Sequence, residues 1–516
     1  MIRYEPPRLD DPEALAAGTL VHALEQRARA EETTPFVSFD ERPPLTAPDL
    51  LSLVRRFSAA LEVARGSRVL VCLDNSPEFV IAWLGSGHAG ATMVPVVPRA
   101  GLRAYAHAIE LTKPSLAIVN AEARAKLAET PFAGTVVEVD DAAEGLLCPV
   151  FERRLLATGE RRECLAHGLD AASIMFTSGT TGPPKGVRVA HLWYIWASLD
   201  VAGAMGYGER DTLFTCLPLG HANAQDTSFG PALLTGARVA FDSAFHASTF
   251  WQRVAAVGAT AFNLIGNMPE VLLSRPPQEF VPHGARRAFS VPALAHQLQP
   301  FRERFGVELV EGYGSTEIGV PVFQRPGEQH AGACGRPLPG TEIRIVGEDG
   351  LPARPGERGE ICAWSPRPGS VTDGYWNDPA ATARAWVSGW FHTGDLGFFD
   401  DDGYLHFVGR LSDTLRLKGE NVSAYELETV ILELPEVGEC AVVARRRSDG
   451  DDDIIAFVVM NGDCAVDEEG IRRRCRVAVG PHAAPAELRV VDDLPHTESG
   501  KVAKGRLRDL LAAETS

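Results

Sequence analysis

Lysine is nearly missing from this chain. Of 50 basic residues only six are lysine (Lys113, Lys126, Lys185, Lys418, Lys501 and Lys504), and arginine supplies the rest. A positive excess is missing too. The formal net charge is −18 over 516 residues, which argues against nucleic acid or a membrane surface as partner, since both call for a basic face. Long apolar runs are absent, so no membrane span is expected, and the opening MIRYEPPRLDDPEALAAG lacks the apolar core of a signal peptide. The nine cysteines are scattered, with no C-x-x-C pair and no metal-ligand spacing, and read as buried, reduced thiols of a cytoplasmic protein. What is there is the composition of a globular chain, 45% hydrophobic and 23% charged, long enough for two or more domains.

The first part alternates strand-like runs with helical patterns: RVLVCL, then PEFVIAWLGSGHAG, then TMVPVV, then GLRAYAHAIELT and PSLAIVN. The alternation resumes after residue 210 and predicts βαβ units around a largely parallel sheet. From about 330 to 410 short β runs with frequent Gly and Pro, such as TEIRIVG and GEICAW, suggest a barrel or antiparallel sheet. After Arg410 a smaller α+β pattern begins, and its charge run at 445–453 reads as a solvated hairpin tip.

Against the scarcity of lysine, the stretch IMFTSGTTGPPKGV (174–187) stands out. Its glycines let backbone N–H groups approach a ligand, its hydroxyls suit phosphate oxygens, and Lys185 supplies a compact balancing charge. It is no Walker A loop, because Pro184 precedes the lysine and Gly186 follows it. A linker is the bland alternative, but a strand-like run precedes the stretch and VRVAH opens toward a helix after it. In VELVEGYGSTEIG (307–319), Tyr313 stands between Gly312 and Gly314 and can offer its face to a flat ring. Thr316 can donate to a phosphate and Glu317 can ligate Mg²⁺; a strand-to-loop turn with a surface acid accounts for this cluster equally well. In WFHTGDLGFFDDDGYLHFVGR (390–410), Asp395 is placed to accept hydrogen bonds from a vicinal diol, while Asp400 to Asp402 read as a hairpin turn without a role. LPHTESGKVAKGRL (494–507) presents Lys501 in a polar loop, where a lone lysine is usually just solvated.

Together and in this order, TSGTTGPPKG, GYGSTE, FHTGDLG…GYLHFVGR and SGK resemble the adenylate-forming superfamily of acyl-CoA synthetases, peptide-synthetase adenylation domains and luciferases, over nearly the whole chain. LPLGHANAQ (217–225) and LKGENVSAYELE (417–428) are most similar to the crotonobetaine/carnitine-CoA ligase-like members. The resemblance implies an α/β fold in two parts. Residues 1–410 would form a large N-terminal AMP-binding domain of stacked mixed sheets with helices plus a β-barrel-like part. Residues 411–516 would form a small mobile α+β domain, with the site between the two. It implies ATP and Mg²⁺, an acid activated as its adenylate with release of pyrophosphate, and a thiol acceptor, usually coenzyme A. On the matching positions, Thr177, Ser178, Gly179, Thr180, Thr181, Gly182 and Lys185 would hold the β- and γ-phosphates. Tyr313, between Gly312 and Gly314, would stack on adenine; Thr316 would contact the α-phosphate and Glu317 would bind Mg²⁺. Asp395 would hold the ribose, Arg410 would support the nucleotide, and Lys501 would stabilise charge during adenylation. Rotation of the small domain would then bring the loop Lys418, Gly419, Glu420 to the thiol.

Three departures from the family pattern bear on substrate and acceptor. The hinge position, commonly Asp or Lys, is Ser412; Gly220 stands where an aromatic often precedes His221, beside the acyl pocket; and Ser290 and Val291 replace part of a glycine-rich turn along that pocket. Added volume there points to a small or unusual acid. Other acceptors stay open: an amine, as in an amide ligase or in a diazotase that activates nitrite for an aromatic amine, or a free-standing carrier protein, since the chain ends soon after GKVAKGRL. An inactive nucleotide-binding regulator is a further alternative, against which the presence of Lys185, Glu317, Asp395 and Lys501 counts.

Overall fold

Apolar runs bounded by Gly, Pro and capping residues fold here into stacked sheets with helices between them. The computed structural model describes residues 4–31, 33–139, 145–177, 184–417, 420–447, 452–462, 466–496 and 502–515, the side chains of Glu420, Asn421 and Thr515 excepted. A six-stranded sheet has the order Thr135–Glu138, Leu116–Val119, Arg68–Cys72, Thr92–Pro95, Ala171–Thr177, Lys185–Ala190. Its pairs are parallel except the last, a hairpin. A nine-stranded sheet is parallel through its centre, where Thr212–Thr215, Ala261–Ile265, Arg287–Val291 and Glu308–Ser315 lie, and antiparallel at both ends. Burial on both faces explains the unbroken apolar strands such as Val69–Val71.

Helix His191–Met205 joins the two sheets. It packs on strand Lys185–Ala190 of one and Gly319–Phe323 of the other. A helix clamped on both sides needs an apolar surface all round, and Leu192, Trp193, Tyr194, Ile195 and Trp196 are all buried. It stops at Gly206, whose φ of +65° is the left-handed cap geometry that favours glycine.

Residues 342–410 form an antiparallel sheet that curls into a half barrel, with strands Glu342–Val346, Gly359–Trp364, Trp390–Phe399, Trp386–Val387 and Leu405–Arg410. Beyond it, hairpin Thr414–Leu417/Glu420–Ser423 leads into helix Ala424–Leu432 and a three-stranded sheet, Val437–Arg446, Asp452–Met460 and Glu487–Val490. Two apolar clusters drawn only from residues 415–511 serve this part as its own core. Ser423 connects the parts: its hydroxyl donates to the Val408 carbonyl and also accepts from Tyr425 N, capping the helix. Arg358 grips Glu426 bidentately at 2.9 and 2.6 Å. Among the described residues no helix is long and apolar enough to cross a membrane, and no disulfide links the eight described cysteines.

Candidate active site

The stretch around Lys185 is a hairpin. Strand Ala171–Thr177 pairs antiparallel with Lys185–Ala190, which sets Thr177 opposite Lys185. The loop residues Ser178, Gly179, Thr180, Thr181 and Gly182 lie outside the described residues. Lys185 is exposed, and its Nζ stands 4.6 Å from the ring centroid of Tyr375, within cation–π range. The Tyr375 hydroxyl donates to Glu317 Oε1 at 3.1 Å. Burial, then the nearby Glu317, raise the pKa of Tyr375, so the phenol stays a donor. Main-chain bonds hold the unit: Trp376 N donates to Gly186 O and Thr372 N to Glu317 O, both at 2.7 Å. Thr316 and Glu317 sit in the turn between strands Glu308–Ser315 and Gly319–Phe323. Only glycine fits at 314, where a Cβ would stand 2.0 Å from the Gly319 carbonyl oxygen. Tyr375 escaped the sequence reading. The signal available was the Gly-Tyr-Trp run in VTDGYWNDP.

A second group is set by strand register. In the pair Trp390–Phe399/Leu405–Arg410, Asp395 lies opposite Arg410. Arg410 Nε stands 2.8 Å from Asp395 Oδ1, and the Tyr313 hydroxyl donates to Asp395 Oδ2 at 2.8 Å. Asp395 is buried, whereas Arg410 keeps 43% of its side chain exposed. Burial works against the Arg410 charge, but Asp395, Tyr313, Glu317 and Asp413 outweigh it and raise the guanidinium pKa further. Tyr313 is buried, with its ring 6.0 Å from that of Phe407, and Tyr425 meets Phe407 edge-on at 5.0 Å. Phe407 and Tyr425 were likewise missed by the sequence reading. Two positions before Tyr313, buried Glu311 has its pKa pushed by burial from 4.5 up to about 8, with Cys334 Sγ 3.9 Å from Oε1.

A third group surrounds His221, which opens the short helix Ala222–Ala224. That helix runs into a π-helical turn, Gln225–Phe229, a deviation frequent at functional sites. Asn263 Nδ2 donates to Asn223 Oδ1 and Thr227 Oγ1, both at 2.7 Å, and its Oδ1 accepts from Ser228 Oγ at 3.0 Å. Burial raises the pKa of Asp226 well above its usual range, and its Oδ1 has no hydrogen-bond partner among the described residues. At Gly220 a Cβ would meet Val97 Cγ1 at 2.8 Å, so Val97 already fills the space an aromatic would take. Ser290 pairs with Leu264 and Val291 with Ile265. Strand alternation therefore sends Ser290 and Val291 to opposite faces, with Val291 on the face of Asn263. Ser290 is fully buried and donates its hydroxyl to the Pro292 carbonyl at 2.7 Å. The two side chains do not line one wall together.

Ser412 lies in a 3₁₀ turn, Leu411–Asp413, and Glu420 in strand Glu420–Ser423. Lys418, Gly419 and Lys501 lie outside the described residues. The first two groups adjoin through the Tyr313–Glu317 segment. They combine an exposed cation, a carboxylate oxygen of the type Mg²⁺ takes, an aromatic ring and a buried carboxylate beside an arginine. That donor set fits a magnesium nucleotide.

The model of the AMP-binding enzyme family matches residues 24–376, and that of the AMP-binding enzyme C-terminal domain matches residues 426–501. The crotonobetaine/carnitine–CoA ligase of Salmonella paratyphi A is 32% identical over 465 residues, covering 87% of this chain and 89% of its own. That of Salmonella typhi is 32% identical over 467 residues with the same coverage. Among solved structures, the anthranilate CoA ligase AuaEII in complex with anthranoyl-AMP matches with a TM-score of 0.87 at 23% identity, over 97% of this chain and 98% of that one. The amide bond synthetase McbA from Marinactinospora thermotolerans matches with a TM-score of 0.82 at 25% identity, over 95% and 99%.

Proposed function

The chain belongs to the AMP-binding enzyme family of adenylate-forming acyl-CoA ligases, and from that premise we propose that it joins a small, polar carboxylic acid to coenzyme A at the expense of ATP, in the cytoplasm. The observation that carries this reading is the double anchorage around one turn: Lys185–Tyr375–Glu317 on one side, Tyr313–Asp395–Arg410 on the other. In the first step an oxygen of the acid attacks the α-phosphorus of ATP and pyrophosphate leaves. In the second the thiol sulfur attacks the acyl carbonyl, its proton is lost, and AMP leaves. Lys185, with Thr177 and the loop Ser178 to Gly182, would hold the β- and γ-phosphates. Thr316 would donate to the α-phosphate; Asp395 would accept from the ribose hydroxyls, with Arg410 holding the carboxylate in place. Tyr313, flanked by Gly312 and Gly314, would lie along the base. Mg²⁺, held at Glu317, would neutralise phosphate charge as pyrophosphate departs.

The division at residues 410 and 411 belongs to the same proposal. Ser412 in its 3₁₀ turn would be the hinge that carries Lys501 in for adenylation, and afterwards brings Lys418 to Glu420 toward the thiol. On the acid side, His221, the Asn223–Thr227–Asn263 network and Val291 would meet the substrate. A wall of amides and hydroxyls favours an acid with a hydrogen-bonding group over a long alkyl chain. The likeness to an amide bond synthetase makes an amine the second acceptor to test, alongside a free-standing carrier protein.

The test is acid-dependent pyrophosphate release over a panel of short polar acids, decanoate and nitrite, with and without coenzyme A and aromatic amines. Thioester formation from a short polar acid is expected, and decanoate should lag. Release with no acid at all would overturn the assignment, and release with nitrite and an amine alone would replace the acid and the acceptor. Lys501→Ala should abolish adenylation yet leave thiol transfer from supplied adenylate largely intact. Equal loss of both steps would refute the alternation of the small domain.

A further inference from the structure

At the outer turn of the hairpin that carries Asp395 and Arg410, three side chains from distant positions converge. Asp400 lies in the turn between strands Trp390–Phe399 and Leu405–Arg410, His406 lies on the second of these strands, and His330 lies in the loop before Arg336. His406 Nε2 is 2.9 Å and His330 Nε2 3.4 Å from the same oxygen, Asp400 Oδ2, and one donor atom from each residue falls within 4.8 Å of the other two.

The tautomer of His406 decides what this means. Its Nδ1 faces the Gly332 carbonyl oxygen at 3.1 Å, an atom that can only accept, so Nδ1 carries the proton. In neutral imidazole Nε2 is then a lone pair, and it points at a carboxylate oxygen. Two acceptors at 2.9 Å repel unless a cation lies between or beside them: a second proton on the ring, or a metal ion. The surroundings favour the metal. A histidine that donates its far nitrogen to a backbone carbonyl is the usual support of a metal ligand. The Asp400 carboxylate is aimed by its other oxygen, which accepts from Asp402 N at 3.0 Å and Tyr404 N at 2.9 Å. His406 stacks on Phe398 at 4.7 Å and His330 on Tyr404 at 4.4 Å, which fixes both ring planes. The backbone of His330 is itself clamped by the Gln324 amide, which donates to its carbonyl at 2.8 Å and accepts from its N–H at 3.2 Å. Zinc–nitrogen bonds of about 2.0–2.1 Å at tetrahedral angles put ligand atoms roughly 3.4 Å apart, near the 2.9 and 3.4 Å of the two histidine–aspartate spacings.

We propose that His330, Asp400 and His406 form a binding site for a divalent transition-metal ion of the Zn²⁺ type, with water as fourth ligand, that staples the 324–335 loop to the hairpin carrying Arg410. Nitrogen and carboxylate donors together select such an ion over Mg²⁺ or Ca²⁺, which take oxygen alone.

The experiment uses the full chain with any affinity tag removed, stripped with EDTA and freed of chelator. Zn²⁺ is titrated calorimetrically and Co²⁺ by its visible absorption, for the parent protein and for His330→Gln, His406→Gln and Asp400→Asn, each checked for native circular dichroism. The parent is expected to bind one more equivalent than every variant, or to bind that equivalent at least about tenfold more tightly, and Zn²⁺ should raise the thermal midpoint of the parent alone. His330 is the most exposed of the three, so His330→Gln keeps the test valid if His406→Gln fails to fold. Equal stoichiometry and affinity in parent and variants, or no binding in any, would overturn the site and leave a protonated His406–Asp400 pair.

Discussion

Under the proposed function the site has a nucleotide side and an acid side, and the two are built from different material. The nucleotide side is a set of charged and phenolic groups held by strand register and hairpin bonds: Lys185 opposite Thr177, Asp395 opposite Arg410, Tyr375 tied to Glu317. The acid side is a mostly neutral network on a π-helical turn, with Asn263 at its centre and Asp226 buried beside it. Charges fixed by strand register suit a ligand that never changes, because phosphates ask for the same donors each time. Amides and hydroxyls on a helical turn can be exchanged one at a time, and each exchange alters which acid leaves no buried group unsatisfied.

That contrast can be broken by experiment, and the largest effect should come from the nucleotide side. Lys185→Ala is expected to lower acid-dependent pyrophosphate release by about 10²–10³-fold for every acid alike. Its thermal midpoint should not move, since the side chain is exposed. Acid-dependent differences in that loss would mean that the two sides are not separable. Next, Asn263→Leu leaves the Ser228 hydroxyl without its partner and takes one donor from Asn223 and Thr227, which still bond each other. It should cut kcat/KM for the native acid by roughly 10–100-fold, in keeping with about 1–3 kcal/mol for an unmet buried polar group, while KM for ATP stays put. A parallel rise in KM for ATP would refute the division.

A smaller, structural effect is expected at Gly220. Ala there collides with Val97 Cγ1 and should destabilise by about 1–3 kcal/mol; adding Val97→Ala should recover most of it in denaturant titrations. If Gly220→Ala is neutral alone, the wall is looser than its geometry. The smallest effect at neutral pH concerns Glu311, whose pKa rises from 4.5 to about 8 on folding. The folded state then holds a proton that the unfolded state has released, so the contribution of Glu311 to stability is complete below pH about 4.5 and is lost as pH rises to about 8. Glu311→Gln should flatten that decline in thermal midpoints between pH 6 and 9. An unchanged slope would show that another group titrates.

The architecture was largely readable in advance. The runs RVLVCL, PEFVIAWLGSGHAG and GLRAYAHAIELT became strand Arg68–Cys72 and helices Pro77–His88 and Leu102–Thr112, because period and caps are local properties. The motif residues could be named for the same reason, since a hairpin loop or a strand end is a contiguous stretch. Tyr375 could not be tied to Lys185 from sequence, because the two lie far apart in the chain and are brought together by the Val187–Tyr375 bridge and the Trp376–Gly186 bond. Asn263 carries no motif in the sequence, and its hydrogen bonds form when the π-helical turn is laid against its strand. Ser290 and Val291 looked like one feature, and register with Leu264 and Ile265 parted them.

By itself, then, the sequence determined the family, the fold class and the motifs to which nucleotide-directed roles are proposed, because each of these is carried by runs of neighbouring residues. Tertiary structure alone decided which face each strand residue presents, that Val97 occupies the space beside Gly220, and that His330, Asp400 and His406 share one oxygen. Those outcomes turn on register and packing between segments remote in the chain. A shift of one residue in either would turn the same side chains away.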